Sequence, residues 1–254
     1  MMRQFLRLCF LVVTAAASLP AQQQQQQQQQ PTVSSIISRA RASIAPELKL
    51  QDLVTLQMVG ALVHDTRRVP PAKIVIIASK PTSQRMEVRI EDLVETTFFN
   101  AGEGCLVRST AAKEKSQMRW LSVPELERVG YNTRQLFSYY RPDVKNGEHI
   151  SYQGVESRHG VNCHKLHYAY PDGLTTIRYF STQTAALVST IIDSGIESVT
   201  VESSRVQGIL FPRRIDYYDA GKKTHSITFS KIIVNNSLPE GIFDFPIIKK
   251  NDGS

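Results

Sequence analysis

The chain has 254 residues and a net charge of +7, with 41% of residues apolar and 8% aromatic. That length and apolar share suit one domain with a sizeable core. The positive charge is spread along the chain, with no basic block and no interleaved aromatics, which argues against a nucleic-acid partner.

The N-terminus reads as a secretory signal over residues 1–21. Arg3 and Arg7 give a basic start, Leu8 through Ala17 a short apolar run, and Ser18, Leu19, Pro20 and Ala21 a small-residue exit. The run falls short of the roughly 20 residues a membrane-spanning helix needs, so cleavage and export are predicted. Cys9 stands too early in the signal to be a lipid-modified cysteine. Residues 22–31 follow as a glutamine-rich tract, Gln22 to Gln30 and then Pro31, which buries nothing apolar and reads as a flexible spacer. The folded body is predicted over 32–254.

Thr32 to Ala45 carries Val33, Ile36, Ile37 and Ile44 at near-helical spacing and is closed by Pro46, which predicts a short amphipathic helix. From Leu53 the period changes to that of a strand. Val54, Leu56, Met58 and Leu62 alternate with Thr55, Gln57 and Ala61. Lys73 to Ser79 is β-branched, and Met86, Val88 and Ile90 alternate with Arg85, Glu87 and Arg89. Leu93 to Phe99 and Cys105 to Arg108 form a predicted hairpin around Asn100, Gly102 and Gly104. Ser122 and Glu125 make a capping box for a second helix with Leu126, Val129, Leu136, Phe137 and Tyr140 as its apolar stripe, interrupted at Gly130 and ended by Arg141 and Pro142. Seven further strands are predicted at 149–156, 162–170, 175–181, 186–193, 197–204, 210–218 and 226–235, separated by turn signals such as His159-Gly160 and Ala220-Gly221. Strands so regularly spaced make an antiparallel meander, and a sheet of this size curls.

Two cysteines follow the signal, Cys105 and Cys163. In an oxidising compartment they allow one disulfide, worth about 3–5 kcal/mol in the chain-entropy model. The other reading is two buried thiols packed as small apolar residues. His159, Cys163, His164 and His167 are all metal-ligand types, but strand alternation sends Cys163 and His167 to one face and His164 to the other, so no metal site is predicted. The chain carries no nucleophile elbow, Walker loop, HExxH helix or dinucleotide fingerprint, and neither an enzyme nor a cofactor is predicted. Leu56, Met58, Ile74, Ile76, Met86, Val88, Phe98, Leu126 and Phe137 form the apolar set. They fill either a dry core or, because two short helices give a large sheet little cover, the lining of an incompletely filled cavity.

Taken in order, these segments resemble the LolA/LolB-like superfamily of periplasmic outer-membrane lipoprotein-sorting proteins. The resemblance rests on the signal, the helix at Thr32–Ala45, the first long strand at Leu56–Val63, the strand pair bent by a proline at Lys73–Val88, the glycine-bearing turn at Phe98–Ser109, and the closing segment from Gly208 to Phe243, Phe245 and Pro246. It implies a mainly β (α+β) fold, a curved antiparallel sheet forming an unclosed β-barrel of about eleven strands covered by short helices. It further implies a periplasmic carrier whose apolar cavity receives acyl chains of lipids or lipoproteins, with inner- or outer-membrane partner proteins. The chain departs from the family's best-known carrier in its length, its glutamine tract and its lack of a lid arginine recognisable by motif. It also lacks the lipidated cysteine of the family's membrane acceptor, which favours a soluble carrier. The alternative is a periplasmic protein-interaction or envelope-stress sensor module without lipid cargo.

Overall fold

The computed structural model describes residues 31–66, 68–112 and 116–247. The predicted signal peptide at 1–21 and the glutamines of the 22–31 tract lie outside these residues.

Helix α1 spans Val33–Ile44, and its first turn is capped by the Thr32 hydroxyl, which accepts the Ser35 N–H at 3.1 Å. Ile36, Ile37, Ala40 and Ile44 recur at helical spacing and are all buried. Pro46 stops α1 and opens α2, Glu47–Asp52, a single short helix that sequence periodicity does not reveal. Six strands follow: β1 (Thr55–His64), β2 (Ala72–Ser79), β3 (Ser83–Ile90), β4 (Leu93–Asn100), β5 (Glu103–Thr110) and β6 (Ser116–Trp120). Helix α3, Val123–Ser138, then leads to seven more: β7 (His149–Arg158), β8 (Val161–Ala169), β9 (Thr175–Ser181), β10 (Leu187–Ile192), β11 (Glu197–Val206), β12 (Ile209–Asp219) and β13 (Lys222–Val234). His159-Gly160 and Ala220-Gly221 each place both turn residues at positive φ, the geometry of tight two-residue hairpins.

The strands form one antiparallel sheet of thirteen, ordered β6-β5-β4-β3-β2-β1-β13-β12-β11-β10-β9-β8-β7. The expected unclosed barrel is therefore present, with thirteen strands in place of about eleven. β6 escaped prediction because its side chains are mostly exposed and carry no alternation. Its two edges, β6 and β7, are consecutive in the chain and joined through α3. That helix touches both ends of the sheet: Gly130 lies against the Phe99 ring of β4, and the Tyr131 hydroxyl meets the Arg178 guanidinium of β9. The expected interruption at Gly130 does not occur, because α3 runs through it and the missing side chain admits Phe99. The capping box at Ser122 and Glu125 is formed, and Arg119 with the Ser122 backbone holds the Glu125 carboxyl down to about 2.

Two buried clusters pack against the inner face. One joins α1, α2 and α3 to β1, β12 and β13 through Leu50, Leu53, Leu56, Phe211 and Phe229. The other sets α1 and Tyr131 of α3 on β7–β9 through Ile36, Leu166, Tyr168 and Phe180. At Gly60 the β1–β13 register shifts and Phe229 crosses the strand. A Cβ there would collide with the Thr228 carbonyl oxygen and stand 3.0 Å from the Phe229 ring. Gly60→Ala is expected to cost about 1–3 kcal/mol, read as a lower urea midpoint. An unchanged midpoint would mean that the bulge yields freely.

Cys105 and Cys163 are free and wholly buried, which removes the disulfide alternative. β5 and β8 are the second strands from opposite edges of the sheet, and both thiols alternate with inner-face residues, Leu106 and His164 respectively, so they point outward on distant strands. Burial pushes both thiols above their ordinary value. Alternation likewise separates Cys163 and His167 from His164, which turns inward to the Tyr152 hydroxyl at 3.3 Å.

Candidate functional site: an apolar cavity under two helices

A cavity of ≈ 370 Å³ lies between the inner sheet face and the helices. β1 and β2 contribute Leu56, Met58 and Ile76, the end of α1 contributes Ile44, and β12 and β13 contribute Phe211, Ile215, Ile227 and Phe229. Gln135, Leu136, Tyr139 and Tyr140 close it from the end of α3. Gly60 adjoins this wall, and its missing Cβ leaves room for the Phe229 ring beside β1.

The closing residues hold an unusual backbone. Tyr139 and Tyr140 both adopt left-handed φ values, 45° and 72°, a conformation that costs bulky residues about 1–3 kcal/mol each. It persists because both carbonyls are claimed: Arg41 donates to the Tyr139 oxygen at 2.9 Å and the Tyr168 hydroxyl to the Tyr140 oxygen at 3.3 Å. The Tyr140 ring stands edge-on to Phe180 at 4.9 Å. Burial raises both phenols, that of Tyr140 to about 12, so each stays neutral. The Tyr139 hydroxyl is buried without a hydrogen-bond partner.

Two arginines fasten the cover. Arg41, buried on α1, also donates to the Ser138 carbonyl and pairs with Glu47 at 2.8 Å, so it binds α1 to the end of α3 and to α2. Its hydrogen bonds hold the Glu47 carboxyl below the ordinary carboxylate value. Arg205 of β11 donates to the Ile44 and Ser43 carbonyls at 2.9 and 3.3 Å and so holds the C-terminal end of α1. Arg205→Met is expected to raise amide exchange in the last turn of α1 about tenfold, since each such bond contributes roughly 0.5–1.5 kcal/mol. Unchanged exchange would mean that the apolar face alone holds the helix.

A third arginine lies beside the cavity. Arg178 of β9 is 5% exposed and sits among Tyr131, Tyr140, Tyr168 and Tyr170. Its guanidinium stands 4.2 Å from the Tyr168 ring centre and 5.6 Å from that of Tyr140. Nη2 donates to the Tyr131 hydroxyl at 2.8 Å and to Gln135 Oε1 at 2.6 Å, while Nη1 has no partner.

Of the nine apolar residues singled out from the sequence, Leu56, Met58 and Ile76 line the cavity. Phe137 is buried in the same cluster but faces α2, with Lys80 above its ring at 5.9 Å. Ile74, Met86 and Val88 share the inner face farther along β2 and β3. Leu126 covers Gly104 near the start of α3, away from the cavity. Phe98 is corrected: alternation with Phe99 turns it to the outer face, into a ≈ 630 Å³ depression shared with Arg85, Glu87, Arg89, Pro246 and Ile247. Arg41, Arg178, Arg205, Tyr139 and Tyr140 had no sequence signal as site residues, because every one acts through partners distant in the chain.

No family profile and no characterised protein sequence matches the chain. Among solved structures, a DUF1329 family protein from Desulfovibrio piger superposes with a TM-score of 0.56 at 9% identity, covering 85% of this chain and 98% of its own. An outer membrane lipoprotein-sorting protein domain from Vibrio parahaemolyticus gives 0.56 at 7% identity, with 82% and 94% covered. A LolA superfamily protein from Nitrosomonas europaea gives 0.51 at 14% identity, with 84% and 98% covered. The fold is LolA-like. In this LolA-like fold the cavity lies between the curved sheet and the helices α1 and α3, which are fastened by Arg41 and Arg205. Among the described residues no helix is long and apolar enough to cross a membrane.

Proposed function

We propose that the chain is an exported periplasmic binding protein that holds lipid acyl chains, including those of lipoproteins, for transfer toward the outer membrane. The apolar cavity under α1 and α3 carries this reading. Transfer of an acyl chain from water into such a site gains about 0.8 kcal/mol per buried methylene. The cover is held by arginine bonds to backbone carbonyls in addition to its apolar contacts, so α3's end and α1 can part, admit a chain and close again. An acceptor of higher affinity would then withdraw it. No covalent step and no cofactor belong to this reading.

The test is native mass spectrometry of protein isolated from a periplasm without detergent, with lipid extraction alongside. Near-stoichiometric phospholipid or acylated peptide is the expected result. A bare mass that stays unchanged when acyl ligands are offered would overturn the carrier reading. It would favour a protein-interaction or envelope-stress sensor role, for which the outer depression flanked by Arg85, Glu87 and Arg89 offers a charged surface.

A further inference from the structure

A second hollow, of ≈ 450 Å³, lies where the end of α3 meets α2 and the turn between β2 and β3. Leu50 and Phe137 give it an apolar part. Arg41, Lys80, Arg134 and Arg141 bring four cations to its lining, against two carboxylates, Asp143 and Glu148.

The carboxylates around this hollow are already committed. Glu47 accepts from Arg41 through both oxygens, at 3.0 and 2.8 Å, so Arg141 is a second cation on an oxygen that is already paired. Asp143 accepts from the backbone and side-chain nitrogens of Asn146. Glu148 accepts from the Asp143 N–H at 2.8 Å and stands 3.8 Å from Arg134. Lys80 donates to the Gln51 and Leu50 carbonyls at 2.7 and 3.4 Å, and no carboxylate of the described residues lies within ion-pair distance of it. Four cations thus face three carboxylates, Glu47, Asp143 and Glu148, which leaves one positive charge in surplus.

That surplus is reachable from water. The Arg134 and Arg141 side chains are 41% and 56% exposed while both line the hollow. Among the described residues the Arg134 guanidinium makes no hydrogen bond, and Arg141 spends one side-chain N–H on Glu47. Surface arginines standing apart are satisfied by water. Two with open donor edges on one hollow match the several oxygens of a phosphate, which guanidinium groups bind in a bidentate manner.

We propose that this hollow binds a phosphate group, with Arg134 and Arg141 donating to its oxygens and Lys80 supplying the third cation. The site does not depend on what the larger apolar cavity holds. Arg141 shares Glu47 with Arg41, so an occupant would sit beside the clasp that joins α1, α2 and the end of α3.

Inorganic phosphate titrated calorimetrically into the protein is expected to bind at one per chain. Arg134→Gln together with Arg141→Gln should weaken it about tenfold or more. Vesicles of phosphatidylcholine with and without phosphatidylglycerol separate a free phosphate from a lipid head group. Sedimentation with phosphatidylglycerol that requires the two arginines, without binding of inorganic phosphate, would support the site and assign its phosphate to a lipid. A thermal melt checks the variant. If the double substitution fails to fold, Arg134→Gln alone carries the comparison, because its guanidinium is unbonded within the described residues. Binding that the substitutions leave unchanged would overturn the assignment, and so would failure of both probes to bind.

Discussion

Phe180→Ala is expected to destabilise the protein by about 3–5 kcal/mol. Phe180 is 0% exposed, and it shares its cluster with Leu166 and Tyr168, which are 0% and 1% exposed. Removing the ring loses its transfer energy and leaves a hole that cannot readily collapse, because the flanking β8 and β10 are fixed by their ladders at His164 and Leu187. The ring also supports Tyr140, which stands edge-on to it in a left-handed backbone conformation. Without that support the end of α3 should loosen as well. Against a typical total of about 5–15 kcal/mol, the loss takes about a fifth or more of the stability. Chemical denaturation checks it, and a loss under about 1 kcal/mol would mean that the cluster relaxes into the gap.

Met58→Trp is expected to weaken acyl binding by ten- to a hundredfold while leaving the fold close to its original stability. Met58 is 4% exposed and faces the cavity between Leu56 and Ile76. Enlarging a side chain in a filled core usually costs about 1–3 kcal/mol. Here the added indole has the ≈ 370 Å³ void to enter. Each methylene it excludes forfeits about 0.8 kcal/mol of ligand burial, so about two to three displaced methylenes give the stated range. Displacement of a fluorescent fatty acid reads the affinity, and a thermal melt checks folding. A folded variant that binds as well as the parent would place the ligand somewhere else.

The strand architecture was legible because it depends on local pattern. Alternation along β1 and β3, the capping box at Ser122 and the paired turn residues His159-Gly160 and Ala220-Gly221 are each written in neighbouring residues. β6 and α2 were not, since one is almost wholly exposed and the other spans only six residues. Alternation alone also does not say which face is inner. In β9 the inward set is Thr176, Arg178 and Phe180, so a strand with Ile177 and Tyr179 on its other face turns a charged residue toward the helices. What makes this tolerable is Tyr131 and Gln135 from α3 and Tyr168 from β8, brought there by tertiary packing. The same limit applied to Phe98, which is as apolar as Phe99 but stands on the opposite side of β4. Arg41 and Arg205 bond to backbone carbonyls, which every residue possesses, and so leave no motif.

The pairing of β1 with β13 has a consequence for the order in which the molecule can be made. Leu56 and Met58 lie opposite Val234 and Ile232, so the first strand completes its hydrogen bonding only with the last. A chain emerging from its N-terminus holds an unfinished edge and half an apolar cluster until residue 234 is available. Contacts this far apart in sequence close slowly, because the intervening loop entropy must be overcome first. The nascent polypeptide is thereby kept from reaching its final packed state until nearly the whole domain has been made.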